Sequence, residues 1–201
     1  MSLLLGAAVA SGATQAGVVL VVGDSISAGY GVPAHKVWVN DLVDRVEQAG
    51  YTQTSVMNAS VSGDTSAGGL SRLPQLLRQH KPKIVLLELG GNDGLRGLPM
   101  KATRQNLLQM VQMSRRSGAQ VLLAGMDVPP SLGPKYVKEF RALYPEVAKA
   151  GGAVLMPSFI AGVAVDPDLM QSDGIHPNTL AQPKLAEHAW KYLEPMLKAA
   201  R

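Results

Sequence analysis

The chain has 201 residues, 46% of them apolar and 17% charged; this is the length of one ordinary domain with a full core, and the composition excludes intrinsic disorder. The net charge of +4 comes from scattered basic residues, and only 4% of the chain is aromatic, so it has neither the basic stripe nor the stacking platforms of a nucleic-acid binder. With no cysteine, disulfides, thiol nucleophiles and cysteine-ligated metals are excluded together.

Residues 1–16 carry no charged side chain and end in small residues. They read as the apolar core and cleavage region of a secretory leader cut after Ala16, although the basic residue such leaders carry near their start is missing. That reading implies a periplasmic or secreted protein; the alternative is an extra apolar helix packed on the domain. No stretch reaches the ~18 apolar residues that span a bilayer.

From Val18 to Val22 five apolar, mostly β-branched residues run into Gly23-Asp24-Ser25. A continuous apolar run ending in a turn is the pattern of a buried parallel strand. Residues 37–50 place apolar side chains at 38, 42, 46 and 49, a helical stripe closed by Gly50. Tyr51 to Ala59 fits a second strand. A glycine- and hydroxyl-rich loop then leads into a helix over 66–80, which Pro74 is expected to kink or restart.

Lys83 to Asp93 repeats the opening design, ending in Gly90-Gly91-Asn92-Asp93, with Glu88 an acid of no assignable job inside the apolar run. Gly94 to Pro99 reads as a mobile apolar loop. A helix is expected from Lys101 to Ser117, buried along Leu107, Met110, Val111 and Ser114, then a strand from Gln120 to Ala124. After a proline-rich loop come a helix from Tyr136 to Ala150, tolerating or interrupted by Pro145, and a short strand from Ala153 to Met156. Pro157 to Pro177 has no sustained period, so it reads as a long functional loop with one short helix around 158–162. The last helix, Thr179 to Ala200, places Leu185, His188 or Ala189, and Tyr192 on one side. Five strands alternating with helices, without hairpin signals, predict an α/β domain over residues 17–201: a parallel sheet covered on both faces.

Four polar groups fall at strand ends or in the last loop: Ser25, Gly63, Asn92 and Asp173-Gly174-Ile175-His176-Pro177. A serine hydroxyl becomes a nucleophile when a base takes its proton, and histidine suits that task. Asp173, three residues before His176, is spaced to turn back onto the imidazole; the pair alone would equally suit an Asx-turn with an exposed histidine. Gly63 offers an N–H unobstructed by a side chain and Asn92 an amide, which with the Ser25 N–H make three donors for a developing oxyanion. Glycine as a turn former and asparagine as a cap are the plainer readings of the same positions. A nucleotide or flavin site is disfavoured, because the first turn lacks both Gly-x-Gly-x-x-Gly and the phosphate-binding lysine. His35, His80 and His188 share no metal-ligand spacing with acids, so neither metal nor cofactor is expected.

Taken together, Gly23-Asp24-Ser25, Ser62-Gly63-Asp64-Thr65, Gly90-Gly91-Asn92-Asp93 and Asp173-Gly174-Ile175-His176-Pro177 resemble the SGNH (GDSL) hydrolases, within them the bacterial periplasmic thioesterase I, lysophospholipase L1 and arylesterase group. The resemblance covers the chain from residue 18 onward. It implies a three-layer α/β/α, flavodoxin-like fold with a five-stranded parallel sheet. It also implies Ser25 as nucleophile, His176 as base, Asp173 as its orienter, and the Ser25 N–H, Gly63 and Asn92 as the oxyanion hole. Asp24 is expected to organise the nucleophile loop at the edge of the substrate site, which Leu95, Arg96 and Pro177 also border. The implied substrates are aryl esters, acyl thioesters and lysophospholipids, acted on by a monomer; a carbohydrate acetylesterase of the same superfamily is the alternative.

Overall fold

The computed structural model describes residues 17–160 and 162–200; the leader expected at 1–16 lies outside them. Its elements run β1 (Gly17–Gly23), α1 (Ser25–Ala28), α2 (Trp38–Gln48), β2 (Thr54–Asn58), α3 (Ser66–His80), β3 (Ile84–Glu88), α4 (Gly91–Leu95), α5 (Met100–Arg116), β4 (Gln120–Ala124), α6 (Pro134–Gly151), β5 (Val154–Met156) and α7 (Gln182–Ala199). All five strands pair in parallel in the order β2-β1-β3-β4-β5. The expected α/β/α fold with its five-stranded sheet is thus present.

The chain moves one way from β1 to β2 and the other way for every later crossover. Right-handed connections must then put α2 on one face and α3, α5 and α6 on the other. The contacts follow this division: α2 packs with α7, while α3 packs with α5 and α5 with α6. The central strands β1 and β3 carry continuous apolar runs because both of their faces are covered. Val19 to Val22 and Ile84 to Leu87 are buried along their whole length, whereas the edge strand β2 is half-buried or exposed.

The helices differ in detail from their sequence patterns. α2 buries Trp38, Leu42 and Val46, but Ala49 is exposed, because the helix has already ended there. Pro74 lies inside the continuous α3, and Pro145 inside the continuous α6. Burial of one face holds each of these helices through the single missing backbone bond. In α7 the buried stripe is Leu185, Ala186, Ala189, Leu193, Met196 and Leu197, with His188 and Tyr192 only half-buried.

Two loop expectations need correction. Gly94 begins no loop but continues α4, where the lack of a side chain lets Val128 and Phe140 close in, and Tyr136 Oη donates to the Gly94 carbonyl at 2.9 Å. Among the described residues 158–160 and 162 no helix is present: Ser158 has φ +43°, in the left-handed region that ends helical growth, and a 3₁₀ turn lies later in the segment at Pro167–Leu169. Leu86, fully buried in the central strand β3, measures how much the sheet depends on its covered faces. Leu86→Ala should lower the unfolding free energy by about 2–5 kcal/mol in urea denaturation.

Candidate active site

In a sheet of this order the connections part on either side of β1, which leaves a crevice beyond the carboxyl ends of β1 and β3. Ser25 follows β1 there, Gly63 lies in the loop after β2, and Asn92 follows β3. Three of the four sequence blocks therefore meet because the topology brings these strand ends together.

Asp24 caps the four-residue α1, its Oδ1 accepting the Ile26 N–H at 3.1 Å. This sets Ser25 at the first helical position with its own N–H uncommitted: neither the Ser25 nor the Gly63 N–H donates to a protein acceptor among the described residues. Gly63 has φ +77°, a backbone conformation glycine adopts freely.

The fourth block arrives on a turn from the C-terminal side. Met170 and Pro177 form an antiparallel bridge, and Gln171 N–H donates to the His176 carbonyl at 2.8 Å. Between them Gly174, at φ +65°, reverses the chain. Asp173 Oδ1 accepts the N–H groups of Ile175 and His176 at 2.9 and 3.0 Å, and its Oδ2 lies 2.6 Å from His176 Nδ1. His176 Nε2 lies 2.9 Å from Ser25 Oγ. The spacing of three residues thus serves as an Asx-type turn and as a carboxylate–imidazole contact at once.

Partial desolvation pushes the Asp173 carboxyl up, but the His176 ring, the two N–H donors and the imidazolium charge outweigh it and hold it down at about 2. A depressed carboxyl favours the fold at pH above its ordinary value near 4, and that contribution is lost as pH falls toward 2. An imidazole held between a carboxylate and a hydroxyl can take the hydroxyl proton and carry the resulting charge.

Asn92 directs both amide hydrogens at protein acceptors, Asp24 Oδ2 at 3.1 Å and the Asp64 carbonyl at 2.9 Å. Of the other residues expected near substrate, Asp24 is buried beneath the loop and Leu95 is partly exposed. The Arg96 guanidinium donates to the Gly63 carbonyl at 2.9 Å. Pro177 is buried, and its carbonyl accepts from Gln171 Nε2 at 3.1 Å.

Three residues with no assigned role in the sequence reading belong to this neighbourhood. Tyr30 packs its ring 4.7 Å from that of His176 while remaining 55% exposed. Gln171 donates to the Tyr30 carbonyl at 2.7 Å, tying the histidine turn to the nucleophile segment. Glu88 is fully buried; its Oε2 accepts the Asp24 N–H at 3.2 Å and the Ser27 hydroxyl at 2.6 Å. A Cβ at position 23 would overlap Glu88 Oε2, so Gly23 makes room for this carboxyl. An acid interrupting a strand that is otherwise buried on both faces was the one sequence sign of it.

Residues 21–182 match the GDSL-like Lipase/Acylhydrolase family. The chain belongs to that family. This GDSL-like acylhydrolase is 50% identical over 178 residues to Esterase TesA of Pseudomonas aeruginosa, covering 89% of this chain and 88% of the relative. It is 45% identical over 185 residues to Thioesterase 1/protease 1/lysophospholipase L1 of Escherichia coli strain K12, covering 92% and 87%. A crystal structure of the psychrotrophic esterase EstA from Pseudoalteromonas sp., inhibited by monoethylphosphonate, superposes with a TM-score of 0.85 at 38% identity, covering 90% of this chain and 99% of that one. The acylhydrolase is a serine hydrolase acting on ester bonds.

Burial pushes the Glu88 carboxyl well above the usual range, and the neighbouring Asp24 adds to the shift. A raised carboxyl favours the fold in its neutral form; the contribution is complete below the ordinary carboxylate pKa and is lost as pH rises through the raised value. Glu88→Leu, which strands the Asp24 N–H and the Ser27 hydroxyl, should lower stability by about 2–4 kcal/mol in chemical denaturation. Glu88→Gln, which keeps a neutral acceptor, should cost less than half of that. A leucine variant as stable as the parent would show that neither donor relies on this carboxyl.

Proposed function

We propose that the chain hydrolyses carboxylic esters and acyl thioesters, lysophospholipids and aryl esters among them, through an acyl-enzyme on Ser25. The observation that carries the reading is the run of contacts Asp173–His176–Ser25, at 2.6 and 2.9 Å. His176 Nε2 removes the Ser25 proton as Oγ attacks the acyl carbonyl, and Asp173 fixes the tautomer that leaves Nε2 free to accept it. The carbonyl oxygen gathers negative charge at the N–H groups of Ser25 and Gly63 and the amide of Asn92. That oxyanion competes with the Asp64 carbonyl for one Asn92 hydrogen, and the full charge makes the stronger acceptor. His176 then protonates the departing alcohol or thiol, and a water deprotonated by the same ring releases the acid from Ser25.

The substrate range rests on the relatives, whose names include an esterase, a thioesterase and a lysophospholipase. EstA is an esterase inhibited by monoethylphosphonate, and attack on an electrophilic phosphorus is a reaction open to a serine hydroxyl activated as Ser25 is here. Leu95 and Leu98, each more than a third exposed, supply apolar surface for an acyl chain in the segment after Asn92, and Arg96 lies between them in sequence. The protein is taken to act as a monomer, with residues 1–16 as a leader for export to the periplasm or beyond. No helix among the described residues is long and apolar enough to cross a membrane.

A fluorophosphonate probe should label the protein at Ser25, and Ser25→Ala should abolish both labelling and turnover while the variant stays folded; a labelled or active Ser25→Ala protein would overturn the assignment. Asn92→Ala should raise the barrier for p-nitrophenyl butyrate hydrolysis by about 3 kcal/mol, roughly 100-fold in kcat. Activity across p-nitrophenyl esters should extend from acetyl to medium acyl chains. Turnover confined to acetyl groups would favour the carbohydrate acetylesterase alternative.

A further inference from the structure

Arg72 stands in the second turn of α3, half-buried, and its guanidinium reaches three acceptors on two segments, the end of β1 and the loop after β2. Nε donates to Asp64 Oδ2 at 2.7 Å, Nη1 to the Ala59 carbonyl, and Nη2 to the Gly23 carbonyl at 3.2 Å. Each acceptor lies close to one of the oxyanion donors. Gly23 is two residues before Ser25, and Ala59 and Asp64 flank the loop that carries Gly63. Asp64 offers its carbonyl to the Asn92 amide at 2.9 Å.

The surroundings are shaped for this arrangement. A Cβ at Gly68 would overlap Asp64 Oδ1, so a glycine there leaves space for the carboxylate, which also accepts the Thr65 N–H at 3.1 Å. Side chains on a helix lean toward its N-terminus, which aims Arg72 back at the loop preceding α3. A planar guanidinium fixes several acceptors at defined angles, which an ammonium on a flexible stem does not.

We infer that Arg72 is a positioning residue of the oxyanion hole: one guanidinium ties the Ser25 segment to the loop that carries Gly63, and through the Asp64 carbonyl that loop reaches the Asn92 amide, at the spacing the tetrahedral intermediate requires. This rests on the reading of Gly63 and Asn92 as oxyanion donors. Arg72 touches no reacting atom; it acts on geometry, where small displacements are expensive in rate. Its loss therefore falls on kcat and leaves KM nearly unchanged, because ground-state binding does not use the hole.

The test compares Arg72→Ala, Arg72→Lys, Asn92→Ala and the Arg72→Ala/Asn92→Ala double variant on p-nitrophenyl butyrate, each first shown to be folded by circular dichroism. Arg72→Ala should lose about 10- to 100-fold in kcat with KM little altered. Added guanidinium chloride, kept below denaturing concentrations, should restore part of that loss in Arg72→Ala and none in Asn92→Ala. The double variant should lose much less than the product of the two single losses, since both act on one hole. Should Arg72→Ala not fold, Arg72→Lys carries the test, with a reduced kcat expected because an ammonium cannot hold all three acceptors. A folded Arg72 variant with parental kcat, beside an impaired Asn92→Ala, would overturn the inference alone. An unimpaired Asn92→Ala would remove the oxyanion-hole reading beneath it.

Discussion

The site depends on where the crossovers part. With β1 at the point of reversal, the loops after β1, β2 and β3 end around one crevice. Ser25, Gly63 and Asn92 are brought together by this connectivity before any side chain acts. The same reversal determines the layers, because right-handed crossovers running in opposite directions must lie on opposite faces. The apolar strands β1 and β3 make that arrangement stable, since both of their faces are buried.

Topology delivers the segments to within a few residues, and a layer of buried polar groups does the rest. Glu88 receives the Asp24 N–H and the Ser27 hydroxyl from below. Asp93 accepts the Ser66 N–H at 2.8 Å, the Ser66 hydroxyl at 2.5 Å and the Thr103 hydroxyl at 3.1 Å, locking the start of α3 to the segment carrying Asn92. Such groups are costly to bury unless each finds a partner, and when satisfied they specify one arrangement over its near neighbours. The nucleophile loop is thus held by directional bonds where apolar contact alone would permit sliding.

Much of this was legible in the chain. The strands read clearly because a parallel sheet buried on both faces demands continuous apolar runs, and residues 18–22, 84–87 and 121–124 supply them. The Ser25, Gly63, Asn92 and Asp173–His176 blocks stood out because each combines a turn former with a reactive or donating group, and the structure brings all four together. What stayed hidden was of another kind. Arg72 looked like any polar residue of an amphipathic helix, because its three acceptors lie 8, 13 and 49 positions away. Glu88 was visible only as an anomaly, since its partners come from another strand end. The placement of Gly94 within α4 depends on tertiary contacts with Val128 and Phe140 that no local pattern encodes. Ser158 lacks the glycine that usually announces a positive φ.

The turn over residues 170–177 holds acid and base in one short piece of chain, joined to the nucleophile segment through Gln171, the Tyr30 ring and the His176–Ser25 contact. Its internal geometry is local, while its docking on the sheet rests on few bonds, several of them exposed. Short pieces docked in this way belong to the low-stability end of a structure, where local opening costs less than separating buried strands. Competence therefore depends on the seating of one short piece of chain, and the stability that matters for turnover is that of this local contact and not that of the sheet.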